Sequence, residues 1–264
     1  MDTASQPSPR PRKRRSPRAN VVGTTLLAAV FFATLFTAWT PSSLSFGNLS
    51  DKLAQLMTPH PAGGQAAIST PRPATRIGIV AGHLGNDSGS VCLDENQVVT
   101  LTEQEVNQEI ATLVQNSLVA RGFEVDLLQE YDTRLAGYRA AALVSIHNDS
   151  CDYINDQATG FKVAAAMETR DINRANRLTA CLVDRYLRTT GLTYHAGSIT
   201  GDMTDYHSFL EIDPNTTAAI IETGFLNLDR EYLTTHTDQV AEGIVQGILC
   251  FINNENIEPT PLPE

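Results

Sequence analysis

The chain reads as an α/β domain, a three-layer sandwich with a central, mostly parallel sheet flanked by helices. Three observations predict that class. From residue 76 to 253, short apolar runs alternate with longer stretches of helical period, as in strands and helices wound in turn. Arg76–Ala81 and Ala218–Ile221 are nearly continuous apolar runs, expected of strands covered on both faces. Three of the runs also end at or next to a His or Glu, and side chains at the carboxyl ends of central strands in such sheets converge on one crevice.

Taken in order, residues 1–20 form a basic tail with six Lys or Arg against one Asp. Val21–Trp39 follows, 19 residues without a charge. As a helix it would span about 28 Å, close to the ~30 Å hydrocarbon core of a bilayer. The basic tail before it predicts a single-pass membrane protein with a cytoplasmic amino terminus and an extracytoplasmic body. A cleaved signal, giving a secreted protein, is the competing reading. Phe36-Thr37-Ala38 is a poor cleavage site, which favours the anchor. Residues 40–75, with Pro41, Pro59, Pro61, Pro71 and Pro73, read as a linker.

Within the single domain at 76–253, the first strand is Arg76–Ala81. Thr102–Arg121 has helical spacing through Val106, Ile110, Val114 and Leu118, and Gly122 is placed to end it as a left-handed cap. Strands are predicted at Phe123–Leu128, Ala141–Ile146 and Phe161–Ala166, then a helix over Asp171–Arg188. A short strand at Phe209–Ile212 and a buried one at Ala218–Ile221 come next. Asp238–Ile252 is the last helix, with Val240, Ile244, Ile248 and Phe251 on one stripe. The tail 254–264 reads as disordered.

Charge narrows the partner. Beyond residue 20 the chain holds 13 Lys or Arg against 29 Asp or Glu. Nucleic-acid binding depends on neutralising phosphates with basic side chains, so nucleic acid is excluded as the main ligand. Nothing in the sequence calls for an oligomer, and a monomer is expected.

His83 follows the first strand in Gly82-His83-Leu84-Gly85, and His147 follows Ser145-Ile146. A lone histidine in a loop is ordinarily a hydrogen bonder. Two at the ends of central strands point to a metal, and neutral imidazole with a carboxylate suits Zn²⁺. Glu103 and Glu105 are the candidate third ligands, with Glu109 behind them. Glu103 shares the core-facing phase of Val106 and Ile110, and if Thr102 is the N-cap, Glu105 serves a capping box and leaves Glu103 free. Glu222, after Ile220 and Ile221, either pairs with Arg134 or Arg139 or works as a buried general base of raised pKa.

These motifs resemble the zinc-dependent N-acetylmuramoyl-L-alanine amidases of bacterial cell walls. The likeness runs from Arg76 to Ile252 through Gly82-His83-Leu84-Gly85, Thr102-Glu103-Gln104-Glu105, Ser145-Ile146-His147 and Glu222-Thr223-Gly224-Phe225. It implies a catalytic domain with zinc on His83, Glu103 and His147, Glu222 as acid–base, and peptidoglycan as substrate. The departures are Leu84 for a glycine, Asn148-Asp149 for Ala-Asn, and Asn227 one position early. A non-catalytic wall-binding protein on the same fold and a metallopeptidase acting on another amide are the alternatives. His207 and His195 are candidates to line the cleft, His207 as a substrate contact, while His60 and His236 read as surface residues. Cys92 and Cys151 follow the two histidines closely, and a disulfide between them is expected over a closed Cys₂His₂ site. Cys181 and Cys250 read as apolar packing residues.

Overall fold

The apolar runs at the heart of the chain become parallel strands, and the helical stretches between them pack on the sheet they form. The computed structural model describes residues 74–257. In chain order it contains β1 (Arg76–Ala81), β2 (Val91–Leu93), β3 (Val99–Thr102), α1 (Glu103–Ala120), β4 (Glu124–Leu128), β5 (Ala142–Asp149) and β6 (Lys162–Ala165). Then come α2 (Ile172–Thr190), α3 (Gly201–Thr204), α4 (His207–Glu211), β7 (Ala218–Phe225), α5 (Arg230–Thr235) and α6 (Thr237–Ile252). The main sheet has the order β4-β1-β5-β7-β6. Its pairs are parallel except β6, which runs antiparallel to β7 at the edge. β2 and β3 form a separate hairpin.

The two faces of the sheet are covered differently. Ile77, Ile79, Val144, Ile146 and Ile221 pack with the apolar stripes of α1, α2 and α6 in the larger core. Val80, Leu143 and Ile220 face a smaller cluster with Leu135, Met203, Phe209 and Ile212, supplied by short helices and loops. α2 and α6 lie close because Gly243 and Gly247 are one helical turn apart on α6. A Cβ at either would come within 3 Å of Tyr186 or Leu182. The same pair of helices carries a disulfide, Cys181–Cys250, where the sequence reading had two apolar packing residues. A second disulfide, Cys92–Cys151, ties the hairpin to the loop after β5.

α1 begins as its sequence dictates. Thr102 is the N-cap, and it forms the reciprocal capping box with Glu105. Gly122 takes φ +89° just after the helix, a conformation that costs a residue without a Cβ little. Phe209–Ile212, expected as a strand, instead lies in and just beyond α4. Phe209 and Ile212 are buried while Leu210 and Glu211 are exposed, a spacing of three that a helical turn satisfies and a strand does not.

The membrane-anchored reading is corrected. Among the described residues no helix is long and apolar enough to cross a membrane. α6 is strongly apolar but has only 16 residues, about 24 Å against the ~30 Å required. α1 and α2 are longer, but both carry several charges. The segments 1–20 and 21–39, most of the linker at 40–75, His60 and the end of the tail lie outside the described residues.

Candidate metal centre

Strand register assembles the centre. β5 and β7 extend beyond their predicted ends, so His147 and Glu222 are strand residues paired directly across the two strands. Lys162 on β6 pairs with Glu222 from the other side. The register shifts by one residue just past His147, and bulges of this kind re-aim side chains beside sites. α1 starts next to this edge and brings Glu103 to it.

Glu103 is the hub. Its Oε1 lies 3.2 Å from His83 Nε2 and 3.1 Å from His147 Nδ1. Asn107 Nδ2 and the Asn148 main-chain N–H donate to the same oxygen, and the Ser90 N–H donates to Oε2. His83, Glu103 and His147 form the one group of three or more potential ligands found among the described residues, with ligand atoms within 4.8 Å of one another. Glu103 is 5% exposed, whereas Glu105 and Glu109 are exposed, so only Glu103 faces the histidines.

Two glycines shape the cradle. A Cβ on Gly82 would lie 2.3–2.5 Å from the His147 ring, and one on Gly89 would lie 2.6 Å from Glu103 Oε2. Neither position admits a side chain. His83 itself sits at φ +65°, a conformation that costs a non-glycine residue energy and recurs at functional sites. Its ring Nδ1 is 2.6 Å from Asp87 Oδ1.

The charges fit a dication. Burial opposes ionisation of Glu103, but hydrogen bonds with His147 and His83 outweigh it and hold the carboxyl well below its usual range. The hydrogen bond to Glu103 lifts His83 to about 9. Burial works against charge on His147, yet Glu103 and the nearby Glu222 and Glu130 raise its pKa. In the metal-free protein the carboxylates thus favour positive charge on both rings, at the place where a divalent cation would supply it. Glu222 behaves oppositely. Burial, opposed by His147 and reinforced by Glu103, pushes it to about 7, and its Oε2 is buried with no hydrogen-bond partner. Arg134 pairs with Asp132 and Asp126, and Arg139 with Asp213, so neither neutralises Glu222. Lys162 is ion-paired with Asp149 and lies over the Phe225 ring.

Sequence reading missed Glu130. It lies two residues beyond β4 and is 5% exposed. It accepts from the His83 N–H at 2.6 Å, from Tyr206 Oη and from His207 Nε2 at 2.8 Å. Burial raises its pKa, but the His207 hydrogen bond, the His147 charge and Tyr206 bring it to about 2. The signal was present, since Glu130 follows a strand end as His83 does. His207 thus reaches the centre only through Glu130. His195 bonds Ser198 and meets the edge of Phe225, and His236 stacks on Tyr232 away from the centre.

A family model described as N-acetylmuramoyl-L-alanine amidase matches residues 77–250. No curated protein matches. Among solved structures, an N-acetylmuramoyl-L-alanine amidase from Clostridium difficile 630 is 24% identical with TM-score 0.54, covering 69% of this chain and 99% of its own. The amidase AmiC2 of Nostoc punctiforme is 22% identical with TM-score 0.53, over 68% and 97%. The CwlD amidase of Clostridioides difficile, solved with the GerS lipoprotein, is 20% identical with TM-score 0.52, over 69% and 100%. At these identities the structures establish the shared fold.

Proposed function

This chain belongs to the N-acetylmuramoyl-L-alanine amidase family, and on that premise we propose that it is a zinc hydrolase of peptidoglycan. The bond cut is the amide between the lactyl group of N-acetylmuramic acid and L-alanine. The observation that carries this reading is the convergence of His83, His147 and a buried Glu103 beside the unpartnered oxygen of Glu222.

His83 Nε2, His147 Nδ1 and a Glu103 carboxylate oxygen would hold the ion. Three protein ligands leave an open position, the arrangement of catalytic rather than structural zinc. When bound, zinc supplies Lewis acidity, polarising a carbonyl and making water acidic enough to attack near neutral pH. Glu222 takes the proton from the attacking water and delivers it to the leaving amine nitrogen. A carboxylate near pKa 7 suits both halves of that task, being basic enough to accept and acidic enough to donate. The buried flank of β7 keeps bulk water from Glu222 Oε2, and that burial is the main cause of its raised pKa in the metal-free protein. The His147–Glu222 register fixes base and ligand on adjacent strands. Both disulfides fit an oxidising compartment, in keeping with a wall substrate. On the non-catalytic alternative, the burial cost of Glu103 and Glu222 would have no return.

The test is release of L-alanine amino termini from purified peptidoglycan. Activity should vanish with a chelator and return with Zn²⁺. Full activity in metal-free protein would sink the zinc reading, and cleavage elsewhere in the peptide stem would sink the bond assignment.

A further inference from the structure

The two ring nitrogens of His147 face different partners. Nδ1 points to Glu103 Oε1, while Nε2 lies 3.0 Å from the hydroxyl of Tyr206. Tyr206 in turn donates to Glu130 Oε1. A phenol has one hydrogen, and here a carboxylate takes it. The Tyr206 oxygen can then only accept from His147, which puts the proton of the neutral imidazole on Nε2. The lone pair is left on Nδ1, the nitrogen that faces the centre.

Glu130 also acts on the other histidine. Its Oε2 accepts the His83 main-chain N–H at 2.6 Å, at the residue whose φ of +65° needs outside support. The same Oε2 is 3.8 Å from His147 Nε2, beyond hydrogen-bond reach, so its hold on that ring passes through the tyrosine. His207 Nε2, at 2.8 Å from Oε1, pins the carboxylate in place. Asp87 does for His83 Nδ1 directly what Tyr206 does for His147 Nε2.

We propose that Glu130, acting through the Tyr206 hydroxyl and the His83 amide, is the positioning residue that selects the metal-binding tautomer of His147 and fixes the backbone of His83. The inference rests on reading His83, Glu103 and His147 as a zinc site. Partners that orient ligating histidines typically matter by about 10–100-fold in metal affinity.

The experiment measures zinc affinity of the full chain by competition with a chromophoric chelator, for the wild type, Tyr206→Phe and Glu130→Gln. Each should bind one zinc at saturation, with both variants weaker by about 10–100-fold. In zinc-loaded wild type the His147 Nε2–H should give a slowly exchanging proton resonance, and in Tyr206→Phe it should broaden into solvent exchange. Tyr206→Phe keeps the ring that packs against Phe209, so the thermal midpoint of the zinc-free variant should stay near the wild type. Wild-type affinity and a retained resonance in both variants would overturn the proposal. So would a Glu130→Gln protein that takes up no zinc at saturation, because Glu130 would then be a ligand. A wild type that binds no zinc would instead overturn the zinc site itself, and the positioning role with it.

Discussion

Replacing Glu222 by Gln should make the enzyme slower and, at high pH, more stable. In the zinc-free protein burial raises this carboxyl from an ordinary 4.5 to about 7. A folded pKa above the unfolded one means that the folded state holds its proton longer. The contribution of this carboxyl to stability should therefore be lost as pH rises from about 4.5 to 7, and no further beyond that. Each pKa unit is worth about 1.4 kcal/mol, so the loss between pH 5 and 8 comes to roughly 2–3 kcal/mol. Gln titrates nowhere in that window. Its own packing cost is independent of pH and cancels when the wild-type-minus-variant difference is compared at the two pH values. Denaturant unfolding of chelator-treated wild type and Glu222→Gln at pH 5 and pH 8 measures that double difference. On peptidoglycan the variant should lose ~10²–10⁴ in kcat while keeping its zinc. A double difference near zero would show that Glu222 is an ordinary ionised carboxylate and would refute its selection as the base. Loss of zinc would make it a ligand.

Four further outcomes follow from the same geometry. Glu103→Gln should fail to retain zinc, whereas Glu105→Ala should keep it and lose only the capping box, about 0.5–2 kcal/mol in unfolding free energy. The reverse pattern in metal analysis would exchange their roles. Zinc uptake at pH 7.5 should release about one proton from His83, whose pKa is held near 9, plus the share carried by His147. Titration calorimetry in buffers of different ionisation enthalpy reads this directly, and buffer-independent heats would contradict it. Gly82→Ala should abolish zinc binding in a folded protein, because its Cβ would enter the space of the His147 ring, and an unaltered affinity would mean that ring is not a ligand. Replacing Cys181 and Cys250 together by Ala should cost about 2–4 kcal/mol, since their bond closes a loop of 69 residues. Equal denaturation midpoints with and without that bond would show that α2–α6 packing alone holds the pair.

The parts of the fold legible in the sequence are those set by local period and by burial. Val106, Ile110, Val114 and Leu118 mark α1 because a helix burying one face must repeat its apolar residues at that spacing. Thr102 and Glu105 mark its start because orphan N–H groups require acceptors there. The antiparallel direction of β6, the β2–β3 hairpin and the helical turn at Phe209–Ile212 were hidden for a shared reason. Each is short, and its conformation is set by what it packs on rather than by its own composition. The Cys181–Cys250 bond is of the same kind, since it depends on two helices meeting at Gly243 and Gly247.

At the centre, legibility divides along similar lines. His83, His147 and Glu222 stand out because a polar side chain ending an apolar strand is locally anomalous. Glu103 stands out because helical phase aims a carboxylate at the core. Glu130 obeys the strand-end rule, but Gln129, Tyr131 and Asp132 surround it with polar groups that mask the anomaly. Tyr206 carries no sequence signal, since its role arises only when α4 brings it over His147. The residues that would touch the metal are thus readable one strand at a time, while those that orient them exist only in the assembled sheet. A substitution at Glu130 or Tyr206 would look harmless by residue type, yet it should shift zinc affinity more than Glu105→Ala, although Glu105 lies within the Thr-Glu-Gln-Glu motif itself.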